Sequence, residues 1–252
     1  MKKICLAAVL TAIFTVPLSA KEALTLGTGD SLPFASVGSN GDPVGVLGDT
    51  SDKILEEMGY DATATHLPFA RLYKSIHKGD IDVAIGVLRT EERAAQAHYS
   101  DPILTAYNIL IVKKGQSFDF ASLTDLKGKK IGGRRGFAYP ALDSAGVAVE
   151  PAKDDETNLK KVLGGRLDAA IFSSIASLSR LDESDQRTDV ELLPLAVGTV
   201  PLGIAFADEK FSAEDIAKFN EMLIAFKASD AYSTTLSRYG ITDYVKDWPI
   251  AK

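Results

Sequence analysis

The chain has 252 residues, with 34 Asp and Glu against 28 Lys and Arg, and a single cysteine, Cys5. A net charge of −6 excludes a nucleic-acid binder that works by neutralising phosphates, and a lone cysteine excludes a disulfide scaffold or a multi-cysteine metal site. With 46% hydrophobic and 25% charged residues the chain is neither disordered nor fibrous, and its length suits one large domain or two small ones.

The first twenty residues read as a secretory signal peptide. Lys2 and Lys3 make a basic start, Ile4 to Val16 is apolar, and Pro17-Leu18-Ser19-Ala20 ends the run with small residues near a cut. Cys5 lies at the start of the apolar run, not at its end, so it is not a lipidated cysteine at the cleavage point. Without residues 1–20 the charge becomes −8 and no cysteine remains. The expected product is an exported, thiol-free protein, most simply in the periplasm of a two-membrane bacterium. No later stretch is apolar for long enough to span a membrane.

Strands and helices alternate from there on. Leu24 to Gly27 predicts a strand that ends in a turn-rich segment reaching Pro33. Thr50 to Met58 has helical spacing, with Ile54, Leu55 and Met58 on one face, and Gly59 as its stop. Phe69 to His77 predicts a second helix, and Ile81 to Val87 a short buried strand. Tyr107 to Val112 reads as β. The amphipathic Leu123 to Gly128 precedes a strand over Lys129 to Gly133. Leu192 to Phe206 reads as β interrupted by Pro194 and Pro201. Near the end, Ser212 caps a helix with Ile216, Phe219, Leu223 and Phe226 on one stripe. This order predicts an α/β protein with mainly parallel sheets.

One internal echo organises the chain. Tyr73-Lys-Ser-Ile-His-Lys-Gly79-Asp-Ile-Asp82-Val-Ala-Ile85 resembles Leu159-Lys-Lys-Val-Leu-Gly-Gly165-Arg-Leu-Asp168-Ala-Ala-Ile171 in register. Each copy is a helix stopped by glycine and a turn feeding a buried strand. The spacing is far too long for a solenoid repeat and predicts two similar lobes. Residues 21–107 and 203–252 form lobe 1 in this reading, and residues 108–202 form lobe 2. Two crossover strands between them make a hinge with a cleft.

Catalytic and cofactor motifs fail one by one. There is no G-x-S-x-G elbow, no Walker lysine motif and no H-E-x-x-H, and Gly27-Thr-Gly29 lacks the third glycine of a dinucleotide fingerprint. His66, His77 and His98 lack metal-ligand spacing. Ser75-Ile-His-Lys78 matches S-x-x-K, but no K-T-G accompanies it. No enzyme activity, cofactor or metal is expected. The remaining features suit recognition. Phe69-Ala-Arg71 opens a helix, and Thr90-Glu-Glu-Arg93 opens another just past a strand, where open α/β sheets bind ligands. Arginine there can hold a carboxylate bidentately, and free helix N–H groups add attraction for an anion. Gly132 to Tyr139 is a glycine-rich loop carrying Arg134, Phe137 and Tyr139.

In order, these residues resemble the family 3 bacterial extracellular solute-binding proteins. The resemblance rests on Leu32-Pro33-Phe34, Asp42-Pro-Val-Gly45 with Asp49, and Phe69 with Lys78-Gly-Asp-Ile-Asp82. It continues through Thr90-Glu-Glu-Arg93 to Tyr99-Ser-Asp-Pro102, Leu123-Thr-Asp-Leu-Lys-Gly-Lys-Lys-Ile131, and Gly165-Arg-Leu-Asp168. It implies a two-lobed periplasmic binding protein of type II with a hinge of two crossover strands. By that likeness Arg93 matches the ligand-carboxylate clamp. Ser31 and Phe69 match first-lobe cleft positions, and Phe137 and Tyr139 positions in the second-lobe loop. Ser173 stands where amino-acid binders carry an acid for the ligand's ammonium. Ile85-Gly-Val-Leu88 replaces the family's serine-rich segment. Arg71 and Arg134 suggest a more anionic solute than a standard α-amino acid. The implied function is capture of a small polar, carboxylate-bearing solute, by a monomer that works with an ABC permease or a membrane receptor. A cyclohexadienyl-dehydratase-like enzyme and a ligand-presenting sensor subunit are the alternatives.

Overall fold

The computed structural model describes residues 21–252 apart from Thr90; the side chains of Phe69, Ala70, Glu91 and Glu92 are likewise outside it, as is the expected signal peptide. The chain starts with β1 (Glu22–Thr28), a small hairpin of β2 (Ser36–Val37) and β3 (Pro43–Val44), then α1 (Val46–Glu57), β4 (Tyr60–His66), α2 (Phe69–His77), β5 (Val83–Ile85), α3 (Glu91–Ala94) and β6 (His98–Tyr99). It continues through β7 (Leu104–Lys113), a 3-10 turn at Leu123–Leu126, β8 (Ile131–Arg134), α4 (Pro140–Ser144), β9 (Val149–Ala152), α5 (Asp155–Leu163), β10 (Ala169–Ser173) and α6 (Ala176–Asp182). It ends with β11 (Val190–Leu202), β12 (Ile204–Phe206), α7 (Ala213–Lys227) and α8 (Asp230–Arg238).

Two five-stranded sheets result, ordered β4-β1-β5-β12-β6 and β11-β7-β10-β8-β9. Each is mixed rather than mainly parallel. β1, β4 and β5 run parallel, as do β8, β9 and β10, while the strands entering from the connection, β12 and β7, run antiparallel to them. The first sheet is covered on one face by α1, α7 and α8, through Leu47, Ile54, Phe206, Phe219 and Leu236. Leu72 and Ile76 of α2 cover its other face. In the second sheet Leu142 of α4 lies on one side, and Leu159, Val162, Leu178 and Leu181 of α5 and α6 on the other.

The echo is a repeated geometry. α2 and α5 are both stopped by glycines in the left-handed region, Gly79 at φ 67° and Gly165 at φ 69°, where a Cβ would be strained. Three residues on, Asp82 accepts a hydrogen bond from the Thr25 amide (2.7 Å), and Asp168 one from the Lys130 amide (2.8 Å). In each copy the aspartate fixes the new strand beside the first strand of its parallel set, β1 or β8.

Predicted boundaries shift where packing overrides pattern. α1 begins at Val46, four residues before the expected Thr50, because Val46, Leu47 and Thr50 are all buried against the first core. Asp49 does not cap it; it accepts from the Tyr239 hydroxyl (2.8 Å) and pairs with Arg238. β5 narrows to three buried residues, and the strand predicted at Lys129 opens at Ile131. Ser212 does cap α7, in a reciprocal box with Asp215.

β7 and β11 form one long antiparallel ribbon, from Leu104↔Leu202 to Lys113↔Val190, interrupted by irregularities between Leu192 and Gly198. The C-terminal tail then crosses to the second sheet, although residues 203–252 were expected with the first lobe. Ala196 at the irregularity donates to Pro249 (2.7 Å) and accepts from Ala251 (2.9 Å), Asp247 accepts from the Tyr107 hydroxyl, and Ala251 is buried in the second core.

Asp52 lies half-buried on α1, and burial together with Glu56, Asp42, Asp49 and Asp61 pushes its carboxyl up to about 6. Ionising it therefore costs folded-state stability. The cost is absent near pH 4, grows as pH rises to 6, and is full above. Asp52→Asn should raise the unfolding free energy at pH 7.5 by about 1 kcal/mol, allowing for solvent screening, and change it little at pH 4. Urea melts at the two pH values measure this.

Candidate functional site

The register decides where a ligand can sit. Ile204 of β12, just past the ribbon, pairs with Ile85 at the carboxyl end of β5. Ser173 at the carboxyl end of β10 pairs with Asn108, four residues into β7 and so about 13 Å from its start. The carboxyl edges of both parallel sets thus run toward the same hinge and border one cleft. Segments 29–35, 67–68 and 86–89 emerge from the first edge, and segments 135–139, 153–154 and 174–175 from the second.

The predicted residues divide between these edges. Ser31 is exposed in the loop after β1, where its amide and hydroxyl both turn back to the Ala35 carbonyl (2.9 and 3.3 Å). Phe69 is the first residue of α2, and Arg71 is exposed in the same first turn. Arg93 is half-buried on α3. Its Nη1 donates to the Leu88 carbonyl (2.9 Å), and its guanidinium lies 4.9 Å over the Tyr73 ring. Tyr73 in turn meets His77 edge-on at 4.4 Å. Loop and helix together set the plane of the guanidinium. α3 is a single turn of four residues, so it offers little of the helix-end attraction expected there.

On the second edge, Arg134 closes β8. Its guanidinium carbon is 4.7 Å from the centre of the Phe137 ring, and its Nε is 3.9 Å from Asp155 Oδ1. Arg134 therefore has an acidic partner, which removes much of the positive charge that sequence assigned to this edge. Asp155 is oriented by the Ser177 hydroxyl, which donates to its Oδ2 at 2.6 Å; its buried Oδ1 accepts no hydrogen bond. A cavity of about 340 Å³ between the starts of α5 and α6 is lined by Arg134, Asp155, Phe172, Ser177 and Arg180.

Tyr139 points inward. It is 8% exposed, its hydroxyl accepts from the Arg134 amide (2.9 Å), and burial pushes its phenol up. A Cβ on Gly133 would come within 2.7 Å of its ring, so the glycine makes room for this buttress. Ser173 is half-buried and its hydroxyl accepts from the Ile175 amide at 3.4 Å. Phe137, by contrast, is 59% exposed.

Sequence reasoning missed Asp155 and Ser177, which are 22 residues apart and meet only because α5 and α6 flank β10. It also passed over Leu32 and Leu88. Both are exposed large apolar side chains beside strand ends, the signal that could have found them. Among the described residues, no group of His, Cys, Asp and Glu could hold a metal ion.

Comparison with known proteins agrees with this architecture. The profile of the bacterial extracellular solute-binding proteins, family 3, matches residues 24–242. The chain is 30% identical to the ABC transporter arginine-binding protein 1 of Escherichia coli (strain K12), over 92% of this chain and 96% of that one. It is 27% identical to the L-cystine-binding protein TcyJ of the same organism, over 61% and 59% of the two chains. Among solved structures it resembles an ancestral arginine-binding protein bound to arginine, with a TM-score of 0.61 and 28% identity over 88% and 99% of the chains. The unliganded open L-cystine solute receptor of Neisseria gonorrhoeae shares the fold, with a TM-score of 0.68 at 21% identity over 90% and 96%.

Tyr139→Phe removes the acceptor of the Arg134 amide without changing the ring. It should lower unfolding stability by about 1 kcal/mol, read from a denaturant melt.

Proposed function

The chain belongs to the bacterial extracellular solute-binding proteins, family 3, and on that premise we propose that it captures a small carboxylate-bearing solute in the cleft between its lobes. Capture takes place in the periplasm, and an ABC importer's permease receives the closed, loaded form. The single observation that carries this reading is the convergence of two carboxyl edges on one hinge, with Arg93 fixed at the first of them by Leu88 and Tyr73. A planar guanidinium held in place is suited to bidentate recognition of a carboxylate. A solute held by the first edge and then touched by the second shifts the population toward the closed state, because only closure adds the second set of contacts.

The two lobes that move are those built on the two sheets, and the working unit is a monomer. Its curated relatives are solute-binding proteins of amino-acid importers, including arginine and cystine binders. The shared requirement of those names is a carboxylate, and the residues of this cleft set which carboxylate is preferred. Binding and release require no chemical step, and the role assigned to each residue is contact or support.

The solute that co-purifies with residues 21–252 can be identified by mass spectrometry and its binding measured by calorimetry. The wild type should retain a carboxylate-bearing compound. Arg93→Ala should weaken its binding at least a hundredfold, while the unfolding midpoint of the solute-free protein moves by no more than about 2 °C. Parallel loss of stability and binding would make Arg93 a structural residue.

A further inference from the structure

We propose that the cavity between the starts of α5 and α6 is a second binding site, for a small zwitterion whose cationic end meets Asp155 and whose carboxylate meets Arg180. Every residue that lines it lies between Arg134 and Gln186, in or beside the second sheet, so no contact from the first sheet is needed to form it. Its volume of about 340 Å³ is at the small end of the usual range for small-molecule sites, about 300–1,000 Å³, which suits a solute of amino-acid size. Leu159, Phe172 and Leu181 give it apolar walls, and polar groups from α5 and α6 converge over them. Apolar walls with a few placed polar groups are the usual make-up of such a site.

Five charged side chains line the cavity, Arg134, Asp154, Asp155, Glu156 and Arg180, and three of them are engaged elsewhere. Asp154 accepts from the amide and the hydroxyl of Thr157 (2.8 and 2.6 Å), and Glu156 is paired with Lys160. Arg134 lies over the Phe137 ring, and its Nε stays 3.9 Å from Asp155 Oδ1, beyond hydrogen-bond reach. Arg135 and Lys153 adjoin these residues in sequence but do not line the cavity. What is left is one oxygen of Asp155 and the outer edge of Arg180. Asp155 Oδ2 takes the Ser177 hydroxyl at 2.6 Å, while Oδ1 is buried and accepts no hydrogen bond from the protein. Arg180 Nε donates to the Ala176 carbonyl one turn back (2.8 Å), and its Nη atoms make no hydrogen bond or ion pair with any described residue.

These two open valences set the ligand. A carboxylate oxygen taken out of water without a donor carries an uncompensated desolvation cost, and an ammonium supplies both the donors and the opposite charge. The Nη edge of Arg180 offers the complementary half, parallel donors for a carboxylate. A simple amine would leave Arg180 unanswered beside it, and a simple acid would face Asp155. One molecule with both ends satisfies both. Ser177, which holds Asp155, and Arg180 are three residues apart on α6, and such residues are neighbours on one helix face with Cβ atoms about 5–6 Å apart. The two poles are therefore presented to one space. Ser177 is the positioning residue: by holding Oδ2 it fixes the direction of Oδ1.

The test is calorimetry on solute-free protein, residues 21–252, carrying Arg93→Ala, which removes the proposed clamp of the cleft and leaves this cavity as it is. The probes are leucine, lysine and 4-aminobutanoate, with pentylamine and pentanoate as controls of single charge. At least one zwitterion should bind with a Kd below about 1 mM, and at least tenfold more tightly than either control. Asp155→Asn and Arg180→Gln, each added to Arg93→Ala, should weaken that zwitterion at least tenfold while the melting curves stay cooperative. In an NMR titration of the Arg93→Ala protein, the amides of residues 154–157 and 176–180 should move and those of α2 should not; this map decides the matter should either added variant fail to fold. Pentylamine or pentanoate binding as tightly as the zwitterions overturns the inference, as does unchanged affinity in Asp155→Asn or Arg180→Gln, or a shift map centred on α2. Binding that vanishes with Arg93→Ala alone belongs to the cleft; it overturns this inference and leaves the proposed function standing. If no zwitterion binds the Arg93→Ala protein, the inference falls as well.

Discussion

The ribbon of β7 and β11 is the element on which the rest of the molecule depends. It is part of the second sheet throughout, yet each strand leads directly into the first, from β6 before Leu104 and into β12 after Leu202. Antiparallel pairing along its length fixes the register of both ends together. That register turns the carboxyl edges of β5 and β10 toward the same hinge. β11 is also an edge strand, which explains how it tolerates Pro194 and Pro201, neither of which can donate to a neighbour. Its exposed backbone is covered at Ala196 by the C-terminal tail, and covering an edge in this way blocks pairing with another chain. The tail thus closes an open edge and adds a third contact between regions that the ribbon already joins.

Much of the fold was legible in the sequence because its signals are local. The helix over Phe69–His77 is set by its own periodicity and by the glycine that follows. The echo around Gly79 and Gly165 reproduces the same left-handed turn and the same aspartate-to-amide bond, so a resemblance of residues became a resemblance of geometry. The mixed character of the sheets was not legible. β12 and β7 read as strands from pattern, but their direction depends on where the chain comes from, and apolar alternation carries no direction. The crossing of the last residues to the second sheet was not legible either, because it rests on distant partners. Those partners, Tyr107, Ala196 and Asp182, lie roughly 50 to 140 residues away in sequence.

At the site, composition identified the right loops but not the state of their side chains. Arg134 and Tyr139 were both expected to face a solute. Arg134 lies between Phe137 and Asp155 and lines the cavity, while Tyr139 buttresses the loop from beneath. Nothing in the spacing of Asp155 and Ser177 signals that they meet, because the contact depends on how α5 and α6 pack across β10. Arginine is visible in a sequence, but whether its charge is available depends on neighbours that folding supplies. Leu88, just past the predicted strand, shows how sharply exposure can change along a chain. Its neighbour Val87 is buried and it is not.

The energetic logic of closure follows from these placements. A protein of net charge −6 has little to gain from a cleft lined with further acids, and the described acids at the two edges all have partners. On the proposed reading Arg93, held by Leu88 and Tyr73, gives orientation. Apolar area removed from water gives a contribution of about 25 cal/mol per Å², which is realised only when the second edge arrives. A ligand shifts a two-state equilibrium only by the difference in its contacts with the two states. On the proposed reading, the contacts that would distinguish the states are those made from the edge opposite Arg93, which carries Arg134 and Phe137. A solute that satisfied Arg93 alone would bind both states equally and close nothing. On that reading, contacts from the second edge would make occupancy and closure the same event.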